Sequence, residues 1–116
     1  MLTNRYIKRE IELFETWCEN RGIHLPKEEK EKLLDKKWKN ESKARLYLSI
    51  IKDELESRIE YVKALYQRLN VPFPEDLGYI ELRISRTSII PVLVPLKEEE
   101  ERFKKLGKKL PDFYRF

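Results

Sequence analysis

The side chains that most often perform nucleophilic or metal chemistry are scarce in this sequence. Cysteine and histidine each occur once, as Cys18 and His24. Together they supply two ligands, whereas a structural zinc site needs about four, and the few glycines form no phosphate-binding loop or dinucleotide fingerprint. Cys18 falls on the apolar stripe of a predicted helix, so we expect a buried thiol rather than a reactive thiolate. We expect His24 to lie in a loop between two helices and not to act as a base.

Carboxylates are abundant, and a site built from Asp and Glu is the chemical alternative that the sequence leaves open. Asp53 and Glu56 lie one turn apart on a predicted helix, where they could bind a divalent cation. Glu54 precedes Arg58 by four residues, and each acid has a Lys or Arg within one turn. Such spacing favours ion pairs on a solvated helix face. We therefore predict no catalytic residue, no metal, no cofactor and no enzyme activity.

Charged residues dominate the composition. Of 116 residues, 25 are Lys or Arg and 21 are Asp or Glu, so the formal net charge is +4. No stretch approaches the ~20 apolar residues of a membrane-spanning helix, and the first residues lack the apolar segment of a secretory signal. The single cysteine fits a reducing compartment, so we expect a cytoplasmic protein. Abundant Glu, Lys and Arg beside one Gln, one Met and one Cys is a thermophile-like composition.

Apolar spacing predicts three helices over residues 1–70. The first opens at the N-cap Thr3 and buries one stripe, composed of Ile7, Ile11, Phe14 and Cys18 and widened by Leu13 and Trp17. The second, from Lys27 to Trp38, has a narrow apolar stripe and should pack at the periphery. The third, from about Ser42 to Leu69, is capped by Asn40 or Ser42 and needs a partner along its length. We expect the first helix to cover part of it in an antiparallel hairpin.

The period of the sequence changes after Asn70, where prolines and a glycine end the helical pattern. Alternation from Ile80 to Ile84 predicts a strand, and the apolar run Ile89–Val94 predicts a second one, at a sheet edge or with a bulge because Pro91 cannot donate. A short helix over 97–106 follows. The expected fold is α+β and predominantly helical. It has an N-terminal helical hairpin or three-helix bundle (1–70), with a β-hairpin and short C-terminal helix (71–116) packed on it.

The last fifteen residues combine positive charge with aromatic side chains. Residues 102–116 hold six basic side chains against one acid, Asp112. Lys side chains could neutralise phosphates, and the predicted nucleic-acid-binding residues are Lys104, Lys105, Lys108 and Lys109. The tail is also too apolar for a solvated end, so it either docks on its own fold or anchors a partner. The predicted partner-binding residues are Leu110, Phe113, Tyr114 and Phe116.

Two resemblances add to these expectations. The spacing Leu110-x-x-Phe113-Tyr114 resembles the hydrophobic plug of motifs that dock on ring-shaped sliding clamps, with Gly107 standing where those motifs usually have glutamine. The order of a helical region followed by a small β module is similar to that of some subunits of the replication-associated GINS complex. The first resemblance implies a protein partner for the tail, and the second implies a place in a larger assembly.

The sequence predicts a function based on contact rather than on chemistry. Three features would be buried or paired more easily by a partner chain than by this chain alone. They are a long helix with excess apolar surface, an incomplete β element and an aromatic tail. We expect a small non-catalytic intracellular protein-interaction subunit or adaptor. Self-association through the long helix, or through strands that join into a larger sheet, is its simplest form. The alternative is a nucleic-acid-binding accessory factor of the replication, transcription or genome-packaging type that uses the basic C-terminal segment.

Overall fold

The computed structural model describes residues 4–85 and 88–110 of the chain. Within them the expectation of an α+β, predominantly helical fold is confirmed. The elements follow in the order α1 (Asn4–Glu19), β1 (Ile23–His24), α2 (Lys27–Asp35), α3 (Glu41–Leu69), β2 (Gly78–Ile84), β3 (Ile89–Val94) and α4 (Lys97–Lys105). None of the described helices is long and apolar enough to cross a membrane.

The longest element, α3, carries the centre of the core on one face. Its start is fixed by Asn40, whose side-chain oxygen accepts a hydrogen bond from the Lys43 backbone N–H at 2.8 Å. Its end is fixed by Asn70, which adopts a left-handed conformation. Leu69 is only half-buried. The other side chains of this face recur every three or four residues and are all buried, and they are Ala44, Leu48, Ile51, Leu55, Ile59, Val62 and Tyr66.

The relative direction of α1 and α3 differs from the antiparallel hairpin that the sequence predicted. At the start of α1, the Tyr6 hydroxyl accepts a hydrogen bond from Arg45 Nε near the start of α3, at 2.5 Å. Just beyond the end of α1, Arg21 forms an ion pair with Glu56 at 2.8 Å. The two helices therefore run in the same direction. The antiparallel prediction is wrong because α2 and its link to α3 return the chain to the level at which α1 begins.

The predicted helix ends and stripes are confirmed in part. Thr3 lies outside the described residues. In α1 the predicted stripe is buried, but Leu13 is 54% exposed and does not widen it. The helix α2 ends at Asp35 and not at Trp38. Trp38 instead packs in the core, where its indole N–H donates to the Leu33 carbonyl at 3.1 Å, and Leu33 itself is fully buried.

The sheet has three strands in the order β1-β2-β3 among the described residues, one more than the predicted hairpin. Strands β2 and β3 are antiparallel, with Tyr79 opposite Val94. The short strand β1 pairs in parallel with the start of β2, with Ile23 opposite Gly78. The prediction that His24 lies in a loop is therefore wrong. A strand of two residues has no alternation that a sequence pattern could reveal.

The chain leaves α1 through Gly22, whose backbone is left-handed with φ of 74°, as expected for a glycine that ends a helix. A Cβ atom at this position would lie 2.0 Å from the carbonyl oxygen of Glu75. The Gly22 carbonyl accepts a hydrogen bond from the Leu77 N–H at 2.8 Å. Glycine thus lets the chain before β1 approach the chain before β2 closely enough for the parallel pair to form.

Beyond the short β1, side chains of α2 occupy the open edge of β2. Glu29 accepts a hydrogen bond from the Leu82 backbone N–H at 2.9 Å, and Lys32 donates to the Leu82 carbonyl at 3.2 Å. The two side chains also form an ion pair at 2.9 Å. Glu29 is buried although its neighbours Glu28 and Glu31 are exposed. The pair therefore satisfies the backbone groups that a neighbouring strand would otherwise bind.

Replacing Glu29 should lower stability by leaving this edge without an acceptor. In Glu29→Ala the buried Leu82 N–H loses its partner, so we expect the free energy of unfolding to fall by about 1–3 kcal/mol in urea titrations. Glu28→Ala, at an exposed position of the same helix, is the matched control and should change it by less than about 0.5 kcal/mol. Equal losses in the two variants would contradict the proposed role of Glu29.

Candidate interaction surfaces

The two side chains best suited to nucleophilic or acid–base chemistry, Cys18 and His24, lie in different environments. Cys18 is fully buried, and this burial raises the pKa of its thiol from 9.0 to about 12, outweighing the opposing effect of Arg21 and Lys52. His24 is exposed and lies 2.8 Å from Asp76, between ring Nε2 and carboxylate Oδ2. Across residues 4–85 and 88–110, no three or more His, Cys, Asp or Glu side chains are grouped so that they could hold a metal ion.

A buried polar cluster joins α4 to the end of α3. The Tyr66 hydroxyl donates to Glu99 at 2.6 Å, and Arg102 forms an ion pair with the same carboxylate at 2.5 Å. The hydrogen bond to Glu99 raises the pKa of Arg102 above its usual range. Arg102 also donates to the Pro72 carbonyl at 2.9 Å. Because these groups satisfy one another, the cluster anchors α4 to the end of α3.

The residues predicted at the C-terminus lie on α4, in the described segment that follows it, and beyond the described residues. Lys104, Lys105, Lys108 and Lys109 are all exposed. The Lys108 amine donates to the Leu69 carbonyl at the end of α3, where a cation also complements the helix dipole. Leu110 is half-buried and packs against the hydrophobic core. Phe113, Tyr114 and Phe116 lie outside the described residues.

The outer edge of β3 is poorly suited to adding another strand. The Ser85 N–H donates to the Ser88 carbonyl at 2.8 Å, so this pair is a hydrogen-bonded one. Hydrogen-bonded and non-hydrogen-bonded pairs alternate in an antiparallel ladder. The backbone groups of Pro91, which lies opposite Leu82, therefore face away from β2. Proline has no N–H to offer there, which confirms the predicted edge position and removes the central donor of this edge.

A second apolar stripe lies on α3 on the side away from the core. We call it the outward face of α3. Leu46 is 56% exposed, Ile50 41% and Tyr61 52%. At 100° per residue these side chains point roughly 120–180° away from the centre of the buried stripe. The outward face of α3 consists of Leu46, Ile50, Asp53, Ser57 and Tyr61.

The middle of this face is polar and slightly recessed. A shallow depression of about 280 Å³ is lined by Asp53, Glu54, Ser57 and Arg58. It separates Ile50 from Tyr61 along the helix. The outward face therefore presents apolar side chains at two places, with charges of both signs between them.

Sequence reasoning missed the outward face, although a signal for it exists. Ile50 follows Leu46 by four residues, and Tyr61 follows Ile50 by eleven, which are about one and three helical turns. The stronger core stripe and the many charges between these residues hide this second stripe from a single-face analysis. The helical spacing of this second stripe is visible only among the apolar positions that do not belong to the core stripe.

The buried environment of Cys18 predicts slow thiol chemistry in the native state. A pKa raised from 9.0 to about 12 means that the unfolded chain loses the thiol proton first as the pH rises. At about pH 8 the native protein should hold roughly a thousandfold less thiolate than the unfolded chain. Native protein should therefore react with Ellman's reagent very slowly, whereas the chain in concentrated urea reacts at once. Rapid stoichiometric labelling without urea would contradict this burial.

No protein-family model matches this chain, and no curated protein and no solved structure is similar to it at a significant level.

Proposed function

We propose that this chain is a non-catalytic protein-interaction subunit that acts as a self-associated pair, formed through the outward face of α3. The observation that supports the proposal is the exposure of Leu46, Ile50 and Tyr61 along one line of a helix whose opposite side is already buried. Several large apolar side chains exposed on one face of a helix, with polar side chains around them, are typical of interaction surfaces. The free, buried Cys18 is compatible with the cytoplasmic location that we also propose.

The charges on this face favour a second copy of the chain as the partner. In an antiparallel pair with a two-fold axis at the level of residues 55–56, Ile50 faces Tyr61 of the second copy. Glu54 then lies within about one residue of the level of Arg58 of the second copy, on the same flank of the helix, and the two-fold axis repeats both contacts. Such self-complementarity is what a two-fold interface requires. Other partners would have to match the same alternation of apolar and charged positions.

The sheet offers a weaker route to self-association. One edge of β2 is occupied by Glu29 and Lys32, and the outer edge of β3 lacks the donor that Pro91 cannot supply. A pair of single helix faces is smaller than a standard protein–protein interface of about 1,600 Å². We therefore propose a pair that forms reversibly and in a concentration-dependent manner.

Sedimentation equilibrium tests the pair directly. The mass should rise with concentration from 14.2 kDa towards twice that value. Ile50→Glu buries a charge at two equivalent places in the pair, so it should weaken association by at least about tenfold, or 1.4 kcal/mol. Leu13→Glu introduces the same charge at a leucine of α1 that is 54% exposed, and it should leave association unchanged.

A charge exchange tests the antiparallel register. Glu54→Arg places arginines opposite one another in the proposed pair and should weaken it, whereas the double variant Glu54→Arg/Arg58→Glu restores opposite charges and should recover association. A mass that stays at 14.2 kDa across the accessible concentrations contradicts the proposal. Association that survives Ile50→Glu contradicts the outward face of α3 as its site.

A further inference from the structure

One end of the molecule collects positive charge from two separate parts of the chain. We call it the basic end, and it consists of residues 5–12 and 35–45. These segments hold eight basic and four acidic side chains. Seven of the eight basic side chains are exposed, and Lys36 is half-buried. The surface is distinct from the C-terminal lysines, which lie beside the other end of α3.

The fold brings the two segments together through contacts at the start of α1 and α3. Arg45 Nε donates to the Tyr6 hydroxyl at 2.5 Å. The rings of Trp38 and Tyr47 lie 5.7 Å apart, which holds the α2–α3 link against α3. Lys30 of α2 pairs with Glu15 of α1 at 3.1 Å. Since α2 runs back along α1, residues 36–39 lie at about the level at which α1 begins.

The four acidic side chains of this end offset only half of its positive charge and leave a formal net charge of +4. None of the eight basic side chains forms an ion pair with a carboxylate within the described chain, whereas Arg21, Lys30 and Arg102 each have one. Two helix N-termini, those of α1 and α3, lie at this end with one helix C-terminus, that of α2, so the helix dipoles add a small net positive charge. An exposed surface with this charge attracts polyanions.

We infer that the basic end binds the phosphate backbone of double-stranded nucleic acid. The aromatic side chains here are not available for stacking on single-stranded bases. Trp38 is buried, Tyr6 and Tyr47 are half-buried, and the Lys36 amine lies 5.5 Å from the centre of the Tyr47 ring. Single-strand binders rely on such rings as stacking platforms. Lysine and arginine contacts to phosphates instead give binding that is independent of sequence and sensitive to salt. This inference does not rest on self-association.

The test is fluorescence anisotropy with a labelled DNA duplex and the full-length chain, at protein concentrations below those of self-association. The variant Lys37→Gln/Lys39→Gln/Lys43→Gln removes three exposed charges of the basic end. If each lysine contacts one phosphate, the slope of log affinity against log salt should fall by about 2.7. At ~50 mM salt we expect affinity to fall by more than about tenfold.

The matched control is Lys104→Gln/Lys105→Gln/Lys109→Gln, which removes the same charge from exposed positions at the other end of the molecule. It should retain the affinity and the salt slope of the unmodified chain. An equal or larger loss in this control overturns the inference and places the interface at the C-terminal segment. Tighter binding to the separated single strand overturns it, as does binding only to vesicles of anionic phospholipid. Circular dichroism melting shows that both variants are folded.

Discussion

Seven side chains along one face of α3, from Ala44 to Tyr66, share a hydrophobic core with side chains from every other described element. At 29 residues, α3 is about 43 Å long, while the longest dimension of the molecule is 53 Å. Burial of this one face therefore sets both the position of the other elements and the two ends of the molecule. The other described helices are shorter, and within the described residues Leu46, Ile50 and Tyr61 on the outward side of α3 stay exposed.

Much of the fold was predictable because its signals are local. The stripe of α1, the long stripe of α3 and the alternation in β2 are each read within a single element. The features that the sequence patterns did not predict depend on contacts between residues that are distant in the chain. Glu29 is buried because Leu82, 53 residues away, needs an acceptor, and Glu99 is buried because Tyr66 donates to it. Neither glutamate differs in local sequence from its exposed neighbours, so no periodic pattern separates them.

The candidate surfaces were less predictable than the fold. Positive charge and aromatic side chains are adjacent in sequence at residues 102–116, so the sequence alone predicts an interaction site in that segment. The basic end is divided between residues 5–12 and 35–45, and acids are interleaved in both. It exists only because α2 returns the chain to the start of α1. The hydrogen bond between Arg45 and Tyr6 connects these two segments, which are far apart in the sequence.

The two proposed interfaces are related by the length of α3. Lys43, in the basic end, precedes the proposed two-fold axis by about twelve residues, so an antiparallel pair separates its two basic ends by about 38 Å along the helices. One turn of B-form DNA spans about 34–36 Å. The interfaces share no residue, so one pair can present two basic ends to successive turns of the same duplex. Because folded helices rather than flexible linkers set this separation, the second contact follows the first without a large loss of conformational freedom.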